Sequence, residues 1–138
     1  MVPPAAVTVL IADDDADARE VLGEVLELML PGVRTVFAVD GVDAVAVALD
    51  VCPWAVILDL GMPRMGGLDA AQRLQERMGK DLPILIAASG DYKRLREGYE
   101  VFDYSLRKPI DVPRLARYLA RAMVYPDGSD GQGRATPE

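Results

Sequence analysis

Five short apolar runs alternate with stretches of helical periodicity, which is the pattern of repeated βα units. Val7 to Ala12 reads as a buried strand. After it, Ala18, Val21, Leu22, Val25 and Met29 put an apolar face on a helix from Ala16 to Leu30, with Asp15 as its N-cap and Pro31-Gly32 as its stop. Arg34 to Val39 is a second, less apolar strand. Val42, Val45, Ala46 and Leu49 mark the next helix, which ends near Cys52-Pro53. Trp54 to Leu58 is the third strand, Gly66-Gly67 breaks the chain, and Leu68, Ala71, Leu74 and Met78 carry a third helix. Pro83 to Ala88 is the fourth strand, and the charged, weakly periodic segment from Asp91 to about Val101 implies a helix that is short or mobile. Phe102 to Leu106 is a short edge strand. Val112, Leu115, Ala116, Leu119, Ala122 and Met123 then follow the i, i+3, i+4, i+7 rule behind Asp111 as N-cap.

The pattern changes most sharply at Asp59, where a carboxylate ends the apolar run Ala55-Val56-Ile57-Leu58 and buried charge is expensive. Asp13-Asp14-Asp15 follows the first strand and Lys108-Pro109 follows the fifth. If these runs are neighbouring parallel strands, the acids and the lysine converge beyond the strands' carboxyl ends, where open α/β sheets bind ligands. Clustered carboxylates raise one another's pKa unless a cation neutralises them, and an all-oxygen set suits Mg²⁺. Asp59 could then serve as a nucleophile toward a phosphoryl group, with Lys108 holding a phosphate oxygen. Each feature has a plainer reading: acids favour helix N-termini, and Lys-Pro is a common turn. Only their joint placement favours a site.

The runs Val9-Leu10-Ile11-Ala12-Asp13-Asp14-Asp15, Leu58-Asp59-Leu60-Gly61-Met62-Pro63-Arg64-Met65-Gly66-Gly67-Leu68 and Lys108-Pro109-Ile110, taken in order, resemble a receiver domain of the two-component response regulators, similar to the single-domain chemotaxis type. The resemblance covers residues 6 to 125. It implies that Asp59 accepts a phosphoryl group from a histidine kinase or phosphotransfer protein. It also implies that Asp14 and Asp59 bind Mg²⁺ directly, Asp13 through water, and that the Gly61 carbonyl is a further ligand. Lys108 would contact the phosphoryl group, and a cis peptide is implied at Lys108-Pro109.

Two positions depart from that family. Its hydroxyl at the end of the fourth strand falls on Ala88, with Ser89 next, so either Ser89 substitutes through a one-residue shift or no hydroxyl reaches the phosphoryl group. The aromatic switch position, three residues before the lysine, holds Ser105, with Tyr104 on the opposite side of a strand. A response to phosphorylation that spreads only weakly over residues 91 to 123 is therefore expected.

Composition narrows the classes. The chain has 138 residues, enough for one domain with a real core. Histidine is absent, which excludes imidazole metal sites, Ser-His and Cys-His nucleophiles, and a phosphohistidine donor role. The single Cys52 permits no internal disulfide and reads as a buried small hydrophobe. The N-terminus shows neither signal peptide nor membrane span, so a cytoplasmic protein is expected. The net charge of −7 argues against direct nucleic-acid binding. It is unevenly placed, with residues 1–90 acidic and residues 91–125 carrying eight basic against five acidic side chains. That basic part suits an acidic protein partner, although the Arg114, Arg117 and Arg121 stripe reads first as a solvated face.

The sequence thus predicts a doubly wound α/β fold with a five-stranded parallel sheet in the flavodoxin-like order 2-1-3-4-5. It divides as an N-terminal extension over residues 1–5, a receiver over 6–125 and a disordered tail over 126–138. The expected role is a stand-alone phosphorylatable receiver acting through a partner. Two rivals are a degenerate receiver that binds partners without phosphorylation, and a haloacid-dehalogenase-type phosphatase, whose second aspartate is replaced here by Gly61.

Overall fold

The computed structural model describes residues 7–125; the expected N-terminal extension and tail lie outside them. Strands β1 (Val7–Ala12), β2 (Val33–Ala38), β3 (Ala55–Asp59), β4 (Ile84–Ser89) and β5 (Tyr104–Arg107) form one parallel sheet in the order β2-β1-β3-β4-β5. The connecting helices are α1 (Ala16–Met29), α2 (Gly41–Val51), α3 (Gly67–Met78), α4 (Tyr92–Glu97) and α5 (Val112–Val124). The fold class, the strand order and the edge position of β5 are as the sequence predicts, with strand boundaries moved by at most two residues and α4 ending at Glu97, four residues short of Val101.

Except at the edge strand β2, where Arg34 and Phe37 are exposed, the sheet is buried on both faces, as crossover helices require, so the inner strands read as nearly continuous apolar runs. Side chains nonetheless alternate. Leu10, Ala12, Val56, Leu58, Leu85 and Ala87 face α2, α3 and α4, joined by Ala44, Ala48, Ala71, Leu74 and Leu95. Val9, Ile11, Ile57, Ile86, Ala88, Tyr104 and Leu106 face α1 and α5, joined by Leu22, Leu26, Leu115 and Leu119. Asp15 caps α1 by accepting the amides of Asp17 and Ala18, and Asp111 caps α5 by accepting that of Arg114.

Three side-chain expectations need correction. The α1 core face is Leu22, Gly23 and Leu26, while Val21 is 59% and Met29 41% exposed. The rotation has a cause in Gly23: a Cβ there would lie 2.8 Å from the Phe37 ring, so the missing side chain lets this face sit against β2. In α2 the small Ala44 and Ala48 are buried and Val42 is exposed. Cys52 is exposed rather than buried, because as the C-cap of α2 it takes a left-handed conformation (φ 49°) that reverses the chain. The fifth strand starts at Tyr104, not Phe102; just ahead of it the Asp103 amide donates to the Leu85 carbonyl and the Asp103 carboxylate accepts the Leu85 amide.

Candidate functional site

All five strands run in one direction, so β1, β3 and β5 deliver Asp13, Asp59 and Lys108 to the same edge of the sheet. Asp59 pairs in register with Ala88, and side chains paired in a parallel ladder share a face. That face is the one lined by Ile57, Ala88 and Leu106. Lys108 Nζ donates to Asp13 Oδ2 at 3.0 Å and to Asp59 Oδ2 at 3.1 Å. Asp13 and Asp59 are buried, and their other oxygens accept the amides of Asp15 (2.9 Å) and Gly61 (3.0 Å). The exposed Asp14 completes a group of three carboxylates whose oxygens lie within 4.8 Å of one another.

Burial works against the Lys108 ammonium, yet its hydrogen bonds and charge contacts with Asp13 and Asp59 outweigh that penalty and hold its pKa above the ordinary lysine range. It therefore stays charged throughout the neutral range. The three carboxylates carry more negative charge than one lysine cancels. An all-oxygen donor set of this kind fits a hard divalent cation such as Mg²⁺.

Of the residues singled out in the sequence, Asp13, Asp14, Asp59 and Lys108 come together, and Gly61 follows Asp59 directly. Ala88 lies beside Asp59 with no hydroxyl to offer. Ser89 belongs to the other face, where its Oγ accepts the Asp91 amide at 3.0 Å. Tyr104 stacks on Tyr118 of α5, with ring centroids 4.2 Å apart, while Ser105 is buried on the α4 side. The Lys108–Pro109 peptide is cis.

Two neighbours of the site were not visible in the sequence. Asp40 caps α2 through the Asp43 amide and takes Arg64 Nε at 2.6 Å, tying the loop after β3 to the start of α2. The Gly41 amide donates to the Met65 carbonyl in the same junction, where a Cβ on residue 41 would collide with the Met65 backbone. The second is Arg94 of α4, whose Nη1 donates to the Leu60 carbonyl at 3.3 Å. The Asp40 cap is local, but the Arg64–Asp40 and Arg94–Leu60 bonds span 24 and 34 positions, with no spacing rule to expose them.

The Arg64 hydrogen bond, followed by the Asp43 amide, holds the Asp40 carboxyl below its ordinary pKa of 3.8. A depressed folded-state pKa adds stability that is present above the unfolded value and is lost as pH falls through the folded one. The melting temperature of Asp40→Asn should thus lie below wild type at neutral pH, and the gap should close below pH 3.8; thermal unfolding at several pH values measures it.

The comparisons with known proteins agree with this geometry. The family model for the response regulator receiver domain matches residues 9–120. The chain belongs to this family. It is 39% identical over 85 residues to the response regulator MprA of Mycobacterium sp. (strain KMS), spanning 62% of this chain and 36% of that protein. To the Regulator of RpoS of Escherichia coli (strain K12) it is 33% identical over 123 residues, 86% of this chain and 35% of that one. The chain thus spans about a third of the curated relatives it matches. Among solved structures, a CheY-like receiver domain from Methylobacillus flagellatus superposes with TM-score 0.75 at 30% identity, covering 83% of this chain and 96% of that one. The chemotaxis response regulator CheY4 of Vibrio cholerae shares the fold, at TM-score 0.74 and 24% identity over 84% of this chain and 98% of that one.

Receiver domains are phosphoacceptors of two-component signalling rather than ordinary enzymes, they bind Mg²⁺ at an acidic pocket, and they interact with histidine kinases or phosphotransfer proteins. Membership decides against the phosphatase rival. Among the described residues no helix is long and apolar enough to cross a membrane.

Proposed function

We propose that this receiver takes a phosphoryl group on Asp59 and passes the signal through a protein partner, in the cytoplasm where ATP-fed kinases act. The observation that carries this reading is Lys108 bridging Asp13 and Asp59 at the sheet edge beside Asp14. One Asp59 oxygen attacks phosphorus while the bond to the donor's imidazole nitrogen breaks, and the freed imidazole takes up a proton. Lys108 holds the acceptor carboxylate and then a phosphoryl oxygen. Asp13, Asp14, Asp59 and the Gly61 carbonyl would hold Mg²⁺, which supplies charge neutralisation when bound. Ala88 leaves the β4 position without a hydroxyl, and Ser89 shapes the start of α4 instead. A basic surface over residues 91 to 123, with Lys93, Arg96, Arg107 and Arg117 exposed, is where we place an acidic partner rather than nucleic acid.

A second reading has one supporting feature: with Ala88 beside Asp59, the chain could act as a degenerate receiver that binds its partner unphosphorylated, with or without further domains. Acetyl phosphate separates the two. With Mg²⁺, intact mass should rise by one phosphoryl group in wild type, and not without the metal or in Asp59→Ala. No gain in wild type would favour the degenerate receiver.

A further inference from the structure

The β4 position that would offer a hydroxyl to a phosphoryl group is Ala88, which leaves that group with one identified side-chain donor, Lys108. A second cation stands close by. Arg94 reaches from α4 over the loop after β3, and its Nη1 is 3.1 Å from the place a Cβ on Gly61 would occupy. That same place is 3.8 Å from Asp59 Oδ1. The bare Gly61 therefore gives the guanidinium a path to the acceptor carboxylate that any larger residue would fill.

The present bonds of Arg94 are weak. Its hydrogen bond to the Leu60 carbonyl is long at 3.3 Å, its Nε is 3.8 Å from Asp91 Oδ2, and its side chain is 53% exposed. A guanidinium carries five donors in a planar fork suited to phosphate oxygens. Phosphorylation would turn the single negative charge of the Asp59 carboxylate into a phosphoryl group carrying about two, within reach of those donors.

Building on the proposed phosphorylation of Asp59, we propose that Arg94 is a second phosphoryl ligand, standing in for the missing hydroxyl and linking α4 to the occupied site. On occupation the guanidinium leaves the Leu60 carbonyl and donates to a phosphoryl oxygen. Because α4 has only six residues and follows β4 directly, that movement is transmitted to its exposed face.

The test uses beryllofluoride, a phosphoryl mimic, titrated calorimetrically with Mg²⁺ into wild type, Arg94→Ala and Arg94→Gln. One lost charge-assisted hydrogen bond corresponds to roughly 10- to 100-fold weaker binding. Both variants should show that loss, Arg94→Lys should recover part of it, and Mg²⁺ titrated alone should bind all four proteins within about twofold. A merely structural arginine would leave beryllofluoride affinity unmoved. Affinities equal within about twofold in wild type, Arg94→Ala and Arg94→Gln would overturn the inference while leaving phosphorylation of Asp59 standing. No beryllofluoride binding in wild type, with Mg²⁺ still bound, would overturn both.

Discussion

Lys108→Ala should destabilise the metal-free protein by roughly 1–3 kcal/mol, and Mg²⁺ should return most of the loss. Removing one partner of a buried ion pair costs more than the pair contributes, since it leaves charge without compensation. Here it leaves two carboxylates, Asp13 and Asp59, both bonded to Lys108 Nζ at about 3 Å. The Lys108 side chain is 31% exposed, so solvent screening places the cost below that of a fully buried pair. With the ammonium gone, the three acids bind a divalent cation more tightly, and a ligand that binds only the folded state stabilises by mass action. The Mg²⁺-induced rise in melting temperature should therefore be larger in Lys108→Ala than in wild type. It should be smallest in Asp14→Asn, which keeps the Lys108 bridge but loses an exposed oxygen donor. Thermal unfolding with Mg²⁺ and with a chelator measures all three. Equal Mg²⁺ shifts in wild type and Asp14→Asn would place the metal elsewhere.

The second large effect concerns how far phosphorylation is felt. A ligand shifts a conformational equilibrium only through differential contacts with the two states. The structure removes the aromatic route: Tyr104 is committed to its stack on Tyr118, and the buried Ser105 carries no ring. The remaining route runs through Arg94. With beryllofluoride and Mg²⁺, amide NMR signals should move near Asp13, Asp59 and Lys108 and along α4, yet little in β5 and α5. Arg94→Ala should silence α4 and spare the first three. Strong shifts through residues 104 to 123 would show that another coupling operates. The weak response expected from sequence over all of residues 91 to 123 is thereby narrowed to its later part.

Why some of this was legible beforehand and some not follows from the range of the interactions. The βα alternation and the residues just after β1, β3 and β5 are local, and topology alone then brings Asp13, Asp59 and Lys108 together. Asp15 and Asp111 were readable as caps because capping acts within three residues. Asp40 caps α2 over the same three residues and is readable on the same grounds, whereas its Arg64 bond spans 24 positions and is not. The choice between Ala88 and Ser89 needed the register Asp59 to Ala88, since one residue of slip exchanges the faces. The α1 face was misread because periodicity ranks positions by apolarity, whereas the close approach at Gly23 decides which side meets the sheet.

Phosphorylation of Asp59 is the central claim, and chemical trapping addresses it most directly. An aspartyl phosphate is an acyl phosphate, which borohydride reduces to homoserine while free carboxylates are left intact. After acetyl phosphate and Mg²⁺, borohydride treatment and peptide mapping should find homoserine at position 59 and unmodified aspartate at 13, 14 and 15. Homoserine at any of those three, or a phosphoryl-bearing protein in which residue 59 remains aspartate, would contradict the account.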